Sequence, residues 1–286
     1  MIYEVIHLKH VFSQLESDSA DPTLTLYLQD NLTEMGRGDQ KRPCLLICPG
    51  GGYAWCSQRE AEPIALHFLP EGFNVFVLNY SVAPCRFPTQ LREVAAAMEL
   101  IYSNADQWHC DVHRVGIMGF SAGGHLAAHY STCFDCPEVR QLFPDSKPVQ
   151  ASLLCYPVIS ADPGAAHQGS FENLLGHSPL TPEEIRRFSC DLQVSSHTPP
   201  AFLWHTAADG SVPVVNSLLY AQALAANRVP FELHIFPAGG HGLSTADAQT
   251  NDCLEPGAAY AGAWLADAKK WLSFTLERGA PKNSQF

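Results

Sequence analysis

Residues 119–128 read GFSAGGHLAA, and they close the apolar run Arg114–Phe120 before passing into an alanine-rich stretch with helical character. The pattern is GxSxG in a strand-to-helix setting. A serine on such a tight turn projects its hydroxyl from the sheet edge, and the flanking glycines are needed because side chains there would collide with neighbouring backbone. The first turn of the following helix favours developing negative charge. A neutral serine is a weak nucleophile, so this reading of Ser121 requires a base and an orienting acid later in the chain, in the order Ser, Asp or Glu, His.

Working outward, short apolar runs alternate with helix-like stretches from residue 44 onward, the mark of a parallel sheet covered by helices. The strand candidates are Cys44–Cys48, Asn74–Tyr80, Arg114–Phe120, Ala151–Tyr156, Ala201–Thr206 and Phe231–Phe236. They read as continuous apolar runs, as expected of strands buried on both faces. Helices are expected over Arg59–Leu69, Thr89–Asn104, Ala122–Thr132, Val215–Ala226 and Tyr260–Leu276. Ile2–Phe12 and Leu24–Leu28, separated by the turn-rich SDSADP, suggest an antiparallel hairpin at one sheet edge. The expected architecture is α/β, a mostly parallel central sheet of about eight strands flanked by helices, in one domain over residues 1–286. Residues 160–200 break the rhythm with several prolines and glycines and a TPEE capping box that should open a short helix at Thr181. That stretch reads as an inserted lid over the substrate, carrying His167, Phe171 and His177. The tail Gly279–Phe286 reads as frayed.

The base and the acid appear at expected strand ends. His241 lies in PAGGHGLS after the last strand run, in a glycine-rich loop able to turn imidazole back toward the sheet. Asp209 follows AFLWHT, where it can accept the other ring N–H of His241; as a turn-forming Asp before Gly210 it has an ordinary explanation too, and the order Ser121, Asp209, His241 favours the catalytic one. Asp191, within the lid, and Asp247, beyond the histidine, are weaker rivals. CPGGGYAW at 48–55 follows the first central strand, and its glycines can offer N–H groups to an oxyanion: Gly51 and Gly52, together with Ala122 after the nucleophile. No phosphate-loop pattern is present. Tyr53, Trp55, Tyr156 and Phe171 are candidate substrate-wall residues, each equally explicable as core.

The bulk numbers agree with a large buried core: hydrophobic residues make up 46% and charged residues 16% of 286. Twenty-nine acidic against 17 basic residues give a formal charge of −12, which disfavours nucleic acid and anionic membranes as partners. The N-terminal MIYEVIHLKHVF lacks the marks of a signal peptide, and no apolar run approaches the ~18 residues of a membrane span. The ten cysteines lie partly inside apolar runs, as buried reduced thiols would, so the expected compartment is the cytoplasm. His125, His129, Cys133 and Cys136 fall at helical spacing on one face and are metal-ligand types. Four ligands on one helix cannot readily surround a tetrahedral ion, so buried thiols and hydrogen-bonded histidines are the preferred reading and no metal is expected.

With these elements in order, the chain resembles the bacterial esterase/lipase-like α/β-hydrolases related to acetylxylan esterases and other carbohydrate esterases. The resemblance covers nearly the whole length and rests on PGGGY at 49–53, FNVFVLNYSVAP at 73–84, GFSAGGHLA at 119–127, HQGSFENLLG at 167–176, TPPAFLWHTAADGSVPVVNSLLYAQAL at 198–224 and VPFELHIFPAGGHGLS at 229–244. It implies an α/β-hydrolase fold, short acyl esters as substrates, often acetyl groups on plant-polysaccharide fragments, and no cofactor. Pro49 stands where hormone-sensitive-lipase-like relatives carry the His of HGGG, which weakens assignment to that branch but leaves the backbone donors intact. The expected reaction is acyl transfer by a Ser-His-Asp triad on a small-molecule or oligosaccharide ester. A prolyl-oligopeptidase-like peptidase shares the triad order, and a non-catalytic hydrolase-like binding protein shares the fold.

Overall fold

The structure is a computed structural model that describes residues 1–15, 20–254 and 257–279. Its eight strands are β1 (Ile2–His7), β2 (Thr23–Leu28), β3 (Arg42–Cys48), β4 (Asn74–Asn79), β5 (Cys110–Phe120), β6 (Ala151–Cys155), β7 (Ala201–Thr206) and β8 (Phe231–Phe236). They form one sheet in the order β1-β2-β4-β3-β5-β6-β7-β8. β2 pairs antiparallel with both β1 and β4, and every later pair is parallel.

The helices are α1 (Leu8–Val11), α2 (Glu62–Phe68), α3 (Thr89–Ser103), α4 (Ser121–Cys133), α5 (Pro137–Arg140), α6 (Gln168–Leu175), α7 (Pro182–Phe188), α8 (Val215–Ala226) and α9 (Trp264–Gly279). The step from β3 to β4 runs one way across the sheet, whereas those from β4 to β5, β5 to β6 and β7 to β8 run the other way. Right-handed crossovers must then place α2 on one face and α3, α4 and α8 on the opposite one. The core divides accordingly. Cys44, Leu46 and Cys48 of β3 pack with Leu91, Leu126 and Leu224, while Leu45 and Ile47 pack with Ile64, Phe68 and Trp264. The direction of winding reverses between β3 and β5, which opens a crevice beyond their carboxyl ends, the place where such sheets bind ligands.

Most expected elements are present with small shifts at their ends. β8 differs in burial: it is an edge strand and half exposed, so the expectation of burial on both faces does not hold there. The first segment is a strand only to His7, after which α1 begins; residues 16–19 of the intervening turn lie outside the described residues, as does the tail beyond Gly279. The helix expected over Arg59–Leu69 narrows to Glu62–Phe68 between short 3-10 turns, because Pro63 and Pro70 lack the N–H that would continue it in either direction. The last helix begins as a 3-10 turn at Ala258–Ala263 and becomes α-helical at Trp264. Thr181 forms a full capping box with Glu184 and opens α7, and residues 160–200 also hold α6. Among the described residues, no helix is long and apolar enough to cross a membrane.

Candidate active site

Ser121 is the first residue of α4, immediately beyond β5, and its φ of 53° puts it in the left-handed region that side chains rarely adopt. Such a conformation costs of the order of 1–3 kcal/mol and persists only where its surroundings enforce it. Close packing enforces it here: a Cβ on Gly123 would lie 2.1 Å from the Cys48 carbonyl oxygen, and one on Gly119 2.1 Å from that of Gly123. The elbow therefore sits flush against the end of β3.

His241 reaches this serine from the loop after β8, with Nε2 2.7 Å from Ser121 Oγ and Nδ1 2.6 Å from Asp209 Oδ2. A carboxylate at Nδ1 fixes the proton there and leaves Nε2 free to accept from the serine hydroxyl. Asp209, in the loop after β7, is buried and spends its other oxygen on the N–H groups of Ser211 and Val212, each 2.9 Å away. Burial pushes its carboxyl upward, but hydrogen bonds from His205 and His241, the charge of His241 and the Val212 N–H outweigh this and hold it well below the usual carboxylate range. The structure thus brings together the three residues singled out in sequence. Asp191 lies in the 3-10 turn Cys190–Gln193 with Oδ1 buried and, among the described residues, unpartnered, and Asp247 accepts from Thr245 Oγ1 and the Gln249 N–H; neither is the carboxylate at His241 Nδ1.

The loop after β3 lies against the serine. A Cβ on Gly50 would be 3.0 Å from Ser121 Cβ, and Gly51 and Gly52 hold φ of 128° and 63°. Among the described residues, the amides of Gly51, Gly52 and Ala122 donate to no acceptor, whereas that of Gly50 is engaged by Glu60 Oε2 at 2.8 Å. Three free N–H groups beside a serine hydroxyl can receive a developing oxyanion.

Residues 160–200 pack on this loop. Asn173 Nδ2 donates to the Gly52 carbonyl at 2.9 Å, and a Cβ on Gly52 would come within 3.9 Å of His167 Cε1 and Ser170 Oγ. His167 is shifted down by partial burial and by the nearness of His241. Beside α6 opens a polar cleft of about 390 Å³ walled by Arg86, Glu172, Asn173 and His177. Of the aromatic candidates, Trp55 is 61% exposed and covers the outer side of Gly51. Tyr156 is buried with its ring edge-on to His241 at 5.1 Å. Tyr53 and Phe171 are turned into the core around His125, Tyr53 by a 2.8 Å hydrogen bond to Nδ1 and Phe171 by an edge contact.

The helical His and Cys face behaves as packing. His125 Nε2 donates to the Phe188 carbonyl at 2.9 Å and His129 stacks on Phe87; burial pushes them down to about 4 and about 3. Cys136 is not on their helix, because α4 ends at Cys133 and Cys136 caps α5. Among the described residues, no group of three or more His, Cys, Asp or Glu is arranged to hold a metal ion.

Three participants escaped the sequence reading. Glu60 holds the Gly50 amide; His205 reaches Asp209 Oδ2 at 3.3 Å; Asn173 anchors Gly52. Two left signals, since Glu60 shares a helical stripe with the apolar Ile64 and Phe68, and His205 interrupts the apolar strand AFLWHT.

The BD-FAE family model matches residues 32–224. The chain is 38% identical over 236 residues to endo-1,4-beta-xylanase B of Butyrivibrio fibrisolvens, covering 79% of this chain and 35% of that one. It is 36% identical over 199 residues to an acetylxylan esterase of Xylanibacter ruminicola, covering 68% and 40%. The chain therefore spans well under half the length of these two relatives. Among solved structures it is similar to an acetyl ester-xyloside bifunctional hydrolase from Caldicellulosiruptor lactoaceticus, with a TM-score of 0.80, 37% identity and coverage of 95% of this chain and 96% of that one. A carboxylesterase from Lactobacillus plantarum gives a TM-score of 0.80 at 29% identity, covering 99% and 100%.

Proposed function

The chain belongs to the BD-FAE family, and from that premise we propose that it is a serine carboxylic-ester hydrolase acting on short-chain acyl esters, with acetylated plant-polysaccharide oligosaccharides as its substrate class. The observation that carries this reading is the unbroken relay of 2.7 Å and 2.6 Å contacts from Ser121 through His241 to Asp209, set beside three unengaged amides.

Ser121 Oγ attacks the ester carbonyl as its proton passes to His241 Nε2, and Asp209 stabilises the imidazolium. The carbonyl oxygen takes the charge and is held by the N–H groups of Gly51, Gly52 and Ala122; losing one such donor typically costs about 3–4 kcal/mol of transition-state stabilisation. His241 then protonates the departing alcohol. Water, deprotonated by the same imidazole, attacks the acyl-enzyme, and as the C–Oγ bond breaks His241 returns that proton to Ser121 Oγ and the acid is released.

Two features support a hydroxyl-rich alcohol. Trp55 offers an exposed aromatic face at the rim of the oxyanion loop, and the cleft beside α6 is walled by polar groups. Residues 160–200 serve in this reading as a lid, supported by the contacts of Asn173 and His167 with the oxyanion loop. A cytoplasmic setting belongs to the same proposal, supported by the burial of six of the ten thiols.

The test pairs two measurements. A fluorophosphonate probe should modify the protein at Ser121, located by peptide mass spectrometry. Acetylated xylo- and manno-oligosaccharides should then be deacetylated faster than simple alkyl acetates. Faster cleavage of aminoacyl amides than of acetyl esters would overturn the esterase reading in favour of a peptidase.

A further inference from the structure

Glu60 is a carboxylate where the sequence pattern calls for an apolar side chain. It precedes Ile64 and Phe68 at intervals of four, both are fully buried, and Glu60 itself is only 3% exposed. Burying a carboxylate costs several kcal/mol unless it is compensated, and among the described residues no lysine or arginine lies within ion-pair distance of it. Compensation comes from two short hydrogen bonds. The Gly50 N–H donates to Oε2 at 2.8 Å, and the Tyr156 hydroxyl donates to Oε1 at 2.6 Å.

Both donors belong to the site. Gly50 leads into Gly51 and Gly52 and touches the serine elbow, so fixing its amide fixes the plane from which the oxyanion donors hang. Tyr156, with a φ of 37°, packs its ring edge-on to His241, and its oxygen also accepts the N–H of Ser244 at 3.0 Å, three residues beyond His241. The neighbouring peptide adds a second tie. Pro63 has no N–H to offer the Arg59 carbonyl four residues earlier, and that carbonyl accepts the Ser244 hydroxyl at 2.5 Å instead.

We propose that Glu60 is a positioning residue that clamps the oxyanion loop and the His241 loop into one register, so that proton transfer and oxyanion binding are aligned at the same moment. Burial pushes the Glu60 carboxyl up, while hydrogen bonds from Tyr156 and Gly50 and the nearby His241 draw it back toward the ionised form. The role rests on the serine-hydrolase reading above. Because Glu60 touches no substrate, its removal should act on the chemical step and not on binding.

The experiment measures kcat and KM for 4-nitrophenyl acetate, the melting temperature and the rate of fluorophosphonate inactivation. The variants are Glu60→Gln, Glu60→Ala, Tyr156→Phe and the Glu60→Gln/Tyr156→Phe double, with Ser121→Ala alongside. Glu60→Ala should lower kcat about 100-fold. Glu60→Gln should lower it only about tenfold, because the amide oxygen still accepts from Gly50. KM should stay within about threefold, and fluorophosphonate inactivation should slow in parallel with kcat. Since the two side chains act as one unit, the double variant should lose less than the product of the single losses. If Glu60→Ala fails to fold, the isosteric Gln variant carries the test. The proposal is overturned if Ser121→Ala is inactive while folded Glu60 variants keep kcat within about twofold of wild type, or lose only melting temperature or KM. A fully active Ser121→Ala overturns the serine-hydrolase reading itself, whatever the Glu60 variants do.

Discussion

Replacing Asp209 by Asn changes one atom in a buried position where every lone pair has an assigned donor. Oδ1 accepts the N–H groups of Ser211 and Val212, and Oδ2 accepts from His241 Nδ1, with His205 Nε2 3.3 Å away. Two backbone donors hold the Asn oxygen at the Oδ1 place, so its NH2 must face His241. Nδ1 then becomes an acceptor, the proton moves to Nε2, and Ser121 Oγ meets a donor where it needs a base. A triad locked in the wrong tautomer loses about 10⁴ in kcat, which at about 1.4 kcal/mol per factor of ten is roughly 5–6 kcal/mol of barrier. His205 Nε2 also donates to the Val212 carbonyl at 3.0 Å and would point its N–H at the new NH2, so folding stability should fall by about 1–3 kcal/mol. Initial rates on 4-nitrophenyl acetate, with urea unfolding of the same samples, measure both losses. An Asp209→Asn variant that keeps kcat within about tenfold of wild type would refute the tautomer argument.

Glu93 is buried, accepts from the Ser81 N–H and hydroxyl, and burial holds its carboxyl up at about 7. Its folded value lies above the unfolded ~4.3, so its contribution to stability is complete below that value and fades as pH rises through about 7. Glu93→Gln should therefore gain about 3 kcal/mol relative to wild type between about pH 4 and pH 8, and a flat difference in urea unfolding would contradict this. Gly123→Ala would place a Cβ 2.1 Å from the Cys48 oxygen, and should lose more than about 3 kcal/mol of stability together with activity; an unchanged melting temperature would exclude the packing argument. Trp55→Ala should leave the melting temperature intact and raise KM about fivefold for acetylated xylo-oligosaccharides but not for 4-nitrophenyl acetate; equal effects on both would remove the sugar-platform role.

The α/β architecture was legible because parallel strands buried on both faces leave continuous apolar runs, and the turn at 119–124 is constrained by sterics that only glycine satisfies. Placing Ser121, Asp209 and His241 needed only their order and their positions at strand ends. Glu60 was harder to read, since its partners Gly50 and Tyr156 lie 10 and 96 residues away, and His205 meets Asp209 only four residues on but across the turn that ends β7, where strand alternation says nothing of the contact. The aromatic candidates show the same limit. Trp55 and Phe171 look alike in sequence, yet one lies on the surface and the other beneath His125. The helical spacing of His125, His129, Cys133 and Cys136 was real only as far as α4 extends, and its end at Cys133 separates the last thiol.

Whether Ser121 is the nucleophile of an ester hydrolase is decided by the turnover of 4-nitrophenyl acetate by Ser121→Ala. Ser121 Oγ lies 2.7 Å from His241 Nε2, and alanine keeps the Cβ while removing only that hydroxyl, so the variant should fold normally. The kcat of this variant should fall by at least about 10⁴-fold with an unchanged melting temperature. Near-wild-type turnover in a folded Ser121→Ala protein would contradict the nucleophile assignment.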